Sequence, residues 1–171
     1  MKLIRRMLLC TLLTMVVCAC VGCSVYREPA ALLPGIEFGM NPAEAQAVLG
    51  EPDGVEEFTG MNDVTYTWLT WEKRTVAGHP ATIQLKFAPF RRGMIMLQYI
   101  VTFDGEDRTA QLTELDAALT AQLTGDRGFT RRDHTDSVSY DCNRGPVGTD
   151  YLLSVWEGSV RLLGECNEYD R

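Results

Sequence analysis

The chain has 171 residues, a formal net charge of −7, two histidines and six cysteines. That length suits one domain or two small repeats and is enough to bury a core. So acidic a chain does not read as a nucleic-acid binder, which would show a basic patch, and it would repel an anionic lipid surface. Beyond the cysteine-rich start, the histidines and the remaining cysteines show no metal-ligand spacing.

Lys2, Arg5 and Arg6 make a positive start, and Met7 to Val17 is an uncharged apolar run. Val17-Cys18-Ala19-Cys20-Val21-Gly22-Cys23-Ser24 follows, small and cysteine-rich. This is the layout of a secretory signal, and the run is short of the ~20 apolar residues a membrane span needs. A cysteine after a small residue resembles the lipobox of bacterial lipoproteins. That resemblance implies cleavage before the cysteine, acylation of it, and a globular domain tethered to a membrane outside the cytoplasm. Two cysteines fit. Cys23 follows Cys20, Val21 and Gly22, and Cys20 follows Val17, Cys18 and Ala19. Parity favours Cys23, because it leaves Cys142 and Cys166 as an even pair. Secretion without lipidation and an uncleaved anchor remain open alternatives. Ser24 after the anchor cysteine, in place of Asp, implies by the same resemblance the outer membrane, facing the periplasm. Loss of Lys2, Arg5 and Arg6 with residues 1–22 takes the charge from −7 to −10.

Residues 23–35, with Pro29 and Pro34, read as a lipid-anchored tether, and 36–171 as the globular part. Asn41 then suits an N-cap, Pro42 the first helical position and Glu44 the third position of a capping box. Gly50 and Pro52 stop the helix, and Ala45, Val48 and Leu49 give its apolar face. Gly39-Met40-Asn41, Glu44-Ala45, Val48-Leu49-Gly50 and Pro52 resemble the motif of the SmpA/OmlA (BamE-like) outer-membrane lipoproteins. The resemblance spans about residues 35–104. It implies a non-catalytic scaffold or accessory role in outer-membrane assembly or integrity. The same unit also resembles repeats of the β-lactamase-inhibitor-protein fold, which implies instead a periplasmic protein-binding or inhibitor module.

Gly50 to Asp63 reads as a loop and Val64 to Trp71 as an aromatic strand. Glu72 to Ala81 reads as a hairpin connection, and Thr82 to Phe87 as a half-buried strand. Met94 to Phe103 is a longer strand, with Ile95, Leu97, Tyr99, Val101 and Phe103 on the core side. Leu112, Leu115, Leu119 and Leu123 recur at helical spacing, with Asp107 as cap. Asp126 to Asp136 reads as a charged loop. Ser137 to Cys142, Asp150 to Trp156 and Ser159 to Gly164 read as strands, the last two joined over Glu157-Gly158. The expected fold is α+β, two helices packed on antiparallel sheet in the order helix-βββ-helix-βββ. Residues 36–105 and 106–171 are then candidate modules.

Cys142 and Cys166 are expected to form a disulfide. In a meander a middle strand would separate them by about 9–10 Å, so the bond needs the chain to converge past the strand ends. No catalytic residue is expected. His79 lies in a Gly-His-Pro turn and His134 in a charged loop, and Ser137 and Ser139 lack a nucleophile elbow. Asp126, Asp133, Asp136 and Asp141 lack calcium-loop spacing. No cofactor, metal or small-molecule substrate is indicated. The expected partners are the membrane, through the acyl chains, and a protein of the envelope. The candidate surface for it is Trp68, Leu69 and Trp71, with more apolar mass than one strand face hides, and the turn residues Arg91 and Arg92.

Overall fold

Local signals around Asn41 build the first helix as the sequence predicts. The Asn41 side chain accepts from the Glu44 amide at 3.0 Å, and the Glu44 carboxylate accepts from the Asn41 amide at 2.8 Å. The helix runs Pro42–Leu49 and ends on a Gly50 amide bonded to the Gln46 carbonyl at 2.8 Å. Its burial differs from expectation. Ala45 is buried, whereas Val48 is exposed.

The computed structural model describes residues 27–60, 63–91, 93–124, 129–144 and 147–166. In chain order they form β1 (Glu28–Pro29), β2 (Glu37–Phe38), α1 (Pro42–Leu49), β3 (Gly54–Thr59), β4 (Thr65–Val76), β5 (His79–Phe90) and β6 (Gly93–Phe103). Then come α2 (Arg108–Leu123), β7 (Phe129–Asp133), β8 (Ser137–Arg144), β9 (Val147–Trp156) and β10 (Ser159–Cys166). β1 and β2 pair with each other; the rest make one antiparallel sheet in the order β3-β4-β5-β6-β10-β9-β8-β7.

The expected helix-βββ-helix-βββ arrangement is therefore wrong. Each helix precedes four strands, and all eight strands join in one sheet through β6 and β10. The missed strands are the two edges. β3 lies in the expected loop 50–63 and β7 in the expected charged loop 126–136. No β3 residue is buried, and Phe129 and Arg131 of β7 are only partly so, so neither shows the alternation of a half-buried strand. β4 also runs on through the expected connection to Val76, over a bulge between Trp71 and Arg74. The hairpins after Val76 and after Trp156 close over Ala77-Gly78 and Glu157-Gly158, all four residues at positive φ. That is the twist-matched two-residue turn, and glycine takes its second position without strain.

Both helices pack on one face of the sheet. Leu115, Leu119 and Leu123 of α2 share a core with Leu153, Val160 and Leu162, and Leu112 is only partly buried beside it. Asp107 caps α2 by accepting from the Ala110 amide at 3.0 Å. A second bulge, between Lys86 and Phe87, shifts the β6 register. Met96 is thus fully buried opposite Phe87, and Leu97, expected in the core, is only partly buried.

The expected tether folds in where it is described. Glu28, Ala30, Ala31 and Leu33 are buried, and β1 pairs with β2. The Gly39 amide donates to the Met96 carbonyl (2.9 Å) and the Met96 amide to the Met40 carbonyl (2.7 Å), which fastens this segment to β6. Cys20 and Cys23 lie outside the described residues.

Cys142 and Cys166 are both buried and are not joined to each other, against the expected disulfide. Both sit opposite Thr149, one on each side of β9. The intervening strand sets them about 9–10 Å apart, beyond the ~7 Å Cα limit of a disulfide. Burial, with Glu28, Asp150 and Asp141 nearby, pushes the Cys142 thiol up to about 11, so it stays protonated and unreactive at neutral pH.

Gly164 on β10 lies under the fully buried Tyr99 ring, which a Cβ there would meet at 2.2 Å. Gly164→Ala is expected to destabilise the fold by about 1–3 kcal/mol through overpacking. Urea unfolding checks this. An unchanged midpoint would show the ring free to move aside.

Candidate binding face

Residues opposite each other in the ladders share a face. The helix-covered face takes Leu69, Trp71, Leu85, Tyr99, Leu162 and Leu153, all buried. The other face takes the alternate residues, and none of the described helices packs on it. One row across it runs Thr70, Gln84, Ile100, Leu163, Leu152 and Ser139. Its centre is an aliphatic strip on β6, β10 and β9. Leu152 is 36% exposed, and Ile100 and Leu163 are partly exposed.

Ring-bound cations flank the strip. On the β4–β5 side, Lys86 stands opposite Trp68, its Nζ 4.5 Å from the Tyr66 centroid and 5.9 Å from that of Trp68. On the β9–β10 side, the Arg161 guanidinium lies 5.9 Å from the ring of Trp156, which is 54% exposed. Arg161 Nε is covered and has no hydrogen-bond acceptor among the described residues. A neighbouring row sets Glu165, Asp150 and Asp141 side by side on β10, β9 and β8. Arg132 bonds Asp141, the outermost of them. Like charges placed opposite cost stability, which a cationic group laid over them would offset. Aromatic rings, arginine and an aliphatic centre with a polar rim are the composition of protein-contact surfaces.

The expected surface is only partly on this face. Trp68 is there, half-buried. Leu69 and Trp71 are not. Leu69 packs opposite Leu85, and Trp71 is fully buried, its indole N–H donating to the Gly50 carbonyl at 2.9 Å. The bare strand pattern left it open which residues face inward, and the helix layer takes these two. Arg91 is exposed at the β5–β6 turn, its guanidinium 5.1 Å from the Phe90 ring. Arg92 lies outside the described residues. The sequence reading missed Ile100, Leu152, Leu163, Lys86, Trp156 and Arg161. The signal was Leu152-Leu153 and Leu162-Leu163, adjacent leucines that put apolar side chains on both faces of a strand.

His79 is partly covered, 3.1 Å from Glu114 and edge-on to Phe103. His134 Nε2 lies 3.1 Å from the Ser139 hydroxyl. On the covered side a cleft of about 490 Å³ is lined by Leu32, Ile36, Leu49, Val76, Ile83 and Gln122, among others. The lining holds no titratable group to serve acid–base chemistry. Comparison of the chain with protein-family models, with curated proteins and with solved structures finds no match in any of the three.

A polar network fastens β7 and β8 to α2. Arg131 binds Asp116 through Nε at 3.0 Å and Nη2 at 2.8 Å, and Asp133 at 2.7 Å. The Tyr140 hydroxyl donates to Asp116 as well. The Arg131 bonds, with that of Tyr140, hold the Asp116 carboxyl below its usual range against the opposing effect of burial. A carboxyl lowered in the fold stabilises above its unfolded value of about 3.9 and loses that contribution as pH falls through the folded one. Asp116→Asn is expected to cost about 1–3 kcal/mol at pH 7 and to flatten the acid limb of stability below about pH 4. Urea titrations at pH 7 and pH 3 read both, and an unaltered acid limb would contradict this role.

Proposed function

We propose that this chain is a lipid-anchored, non-catalytic protein of the bacterial envelope that grips a partner protein with the uncovered face of its sheet. The observation that carries the reading is the strip Ile100–Leu163–Leu152, which none of the described helices covers and which is bordered by Lys86 on aromatic rings and by Arg161 beside Trp156. A soluble sheet gains nothing from an aliphatic row facing water, whereas a docking surface needs one. The lipobox-like Cys23, with Cys20 as its alternative, supports the anchor. The Gly39 to Pro52 motif supports a place beside the BamE-like accessory lipoproteins, with the outer membrane as the site of action.

A photo-crosslinking amino acid at Leu163 or Leu152 of the full chain, in living cells, tests this. The same probe at Ala117, on the exposed side of α2, is the control. The expected result is one and the same envelope protein from both sheet positions and none from Ala117. Replacing Cys20 and Cys23 by serine should release the chain from the membrane fraction. No adduct from the sheet, or equal adducts from all three positions, would remove the docking role. A chain that stays membrane-bound without both cysteines would remove the anchor.

A further inference from the structure

The two edges of the sheet match each other. β3 and β7 are its outermost strands, and among the described residues neither pairs on its outer side. Such an edge is a template for another strand unless charge, proline or a bulge blunts it. β3 is Gly-Val-Glu-Glu-Phe-Thr, without proline; its two glutamates blunt it against an acidic or neutral edge but not against a basic one, and its ladder to β4 has no bulge. Val55 and Phe58 are each 61% exposed on it. β7 is Phe-Thr-Arg-Arg-Asp. One edge therefore carries Glu56-Glu57 and the other Arg131-Arg132.

We propose that copies of this chain associate head to tail, β3 of one copy pairing antiparallel with β7 of the next. Strand direction permits it. Eight strands alternate in direction, so the two edges run oppositely. A second copy set beside the first in the same orientation continues an antiparallel sheet, helices on the same side. Side-chain parity then restricts the register. Val55 lies opposite Leu69, which points to the helices, so Val55, Glu57 and Thr59 belong to the covered side. Arg131 lies opposite Tyr140, so Phe129, Arg131 and Asp133 do too. The register that pairs all five β7 residues sets Thr59 against Phe129, Phe58 against Thr130, Glu57 against Arg131, Glu56 against Arg132 and Val55 against Asp133. Both glutamates then face arginines, one pair on each face. Phe58 falls diagonal to Arg132, within reach of a cation–ring contact. A slip of two residues either way loses both ion pairs, and in one direction it sets Glu57 against Asp133.

Arg131 is already shared between Asp116 and Asp133, so discrimination falls mainly on Glu56 and Arg132. The Arg132 side chain is 58% exposed, and its contact is with Asp141 on its own sheet. The contact is heterologous and does not close on itself by two-fold symmetry, so association is not limited to a dimer. A five-residue ladder is a small interface, and the association is weak and concentration-dependent.

Sedimentation velocity of the full chain in density-matched detergent at low salt tests this. The wild type should sediment faster as its concentration rises, through dimer to longer species. Glu56→Arg and Arg132→Glu should each raise the concentration needed by about tenfold, because each sets like charges opposite. In a mixture of the two variants, opposite charges meet again between unlike copies. The two exchanged residues face each other at one such contact, and the native Glu56 and Arg132 face each other at the next. The mixture should therefore return to wild-type behaviour, and that recovery also shows both variants folded. A wild type that stays monomeric or stops at a dimer overturns the proposal. So do variants that associate unchanged, or a mixture that does not recover.

Discussion

The placement of the Tyr99 ring over Gly164 is the contact on which the rest depends. It lies at the seam where β6, the last strand of one four-strand set, pairs with β10, the last of the other. The ring centroid is 5.7 Å from that of Phe38 and 6.4 Å from that of Tyr151. The Tyr99 hydroxyl donates to the Ala31 carbonyl at 2.7 Å. Burial raises the pKa of that hydroxyl well above the usual phenol range, so it remains a donor at any physiological pH. One side chain thus joins the N-terminal segment, β6, β10 and β9. Only glycine beneath it lets the strands meet without displacing the ring.

Joining the sets at their last strands decides what is left bare. Among the described residues, the eight-stranded sheet carries two helices and an N-terminal segment on one side and no layer on the other. Its other face can be polar, or it can be used. Around the centre it mixes polar residues, Thr70, Gln84, Ser139 and Ser154, with the rings of Tyr66, Trp68 and Trp156. At the centre, over the seam itself, it is aliphatic. The seam that makes one core therefore also assembles the strip, because Ile100, Leu163 and Leu152 come from three strands that only this order places side by side. The same joining leaves β3 and β7 as the free ends, acidic at one and basic at the other.

What the sequence made legible was local. Asn41, Pro42, Glu44 and Gly50 act within a few residues of one another, and the first helix stands where they put it. The leucine spacing of α2 and the Glu157-Gly158 turn read correctly for the same reason. Strand order is set by pairings far apart in the chain, and no local signal reports it. Cys142 and Cys166 were expected to pair on cysteine parity, with a middle strand foreseen between them; both stay within the ladder opposite Thr149, so the convergence that the bond needs does not occur. Edge strands were invisible because they bury almost nothing: Gly54–Thr59 shows no apolar alternation at all. Trp71 looked available for a partner because β4 has apolar residues of both parities, and only the helix layer decides which parity is inside. The bulge between Lys86 and Phe87 exchanged Met96 for Leu97 in the core, a shift that a strictly alternating pattern does not contain.

If the Tyr99–Gly164 seam makes the two four-strand sets one folding unit, the sets cannot open separately. Residue-resolved amide exchange in rising sub-denaturing urea measures this directly. The slowest amides of β4 and β5 should share one opening free energy and one urea dependence with those of β8 and β9, both equal to the values for global unfolding. A set of strands on either side of the seam that opens at clearly lower free energy and with a smaller urea dependence would contradict it.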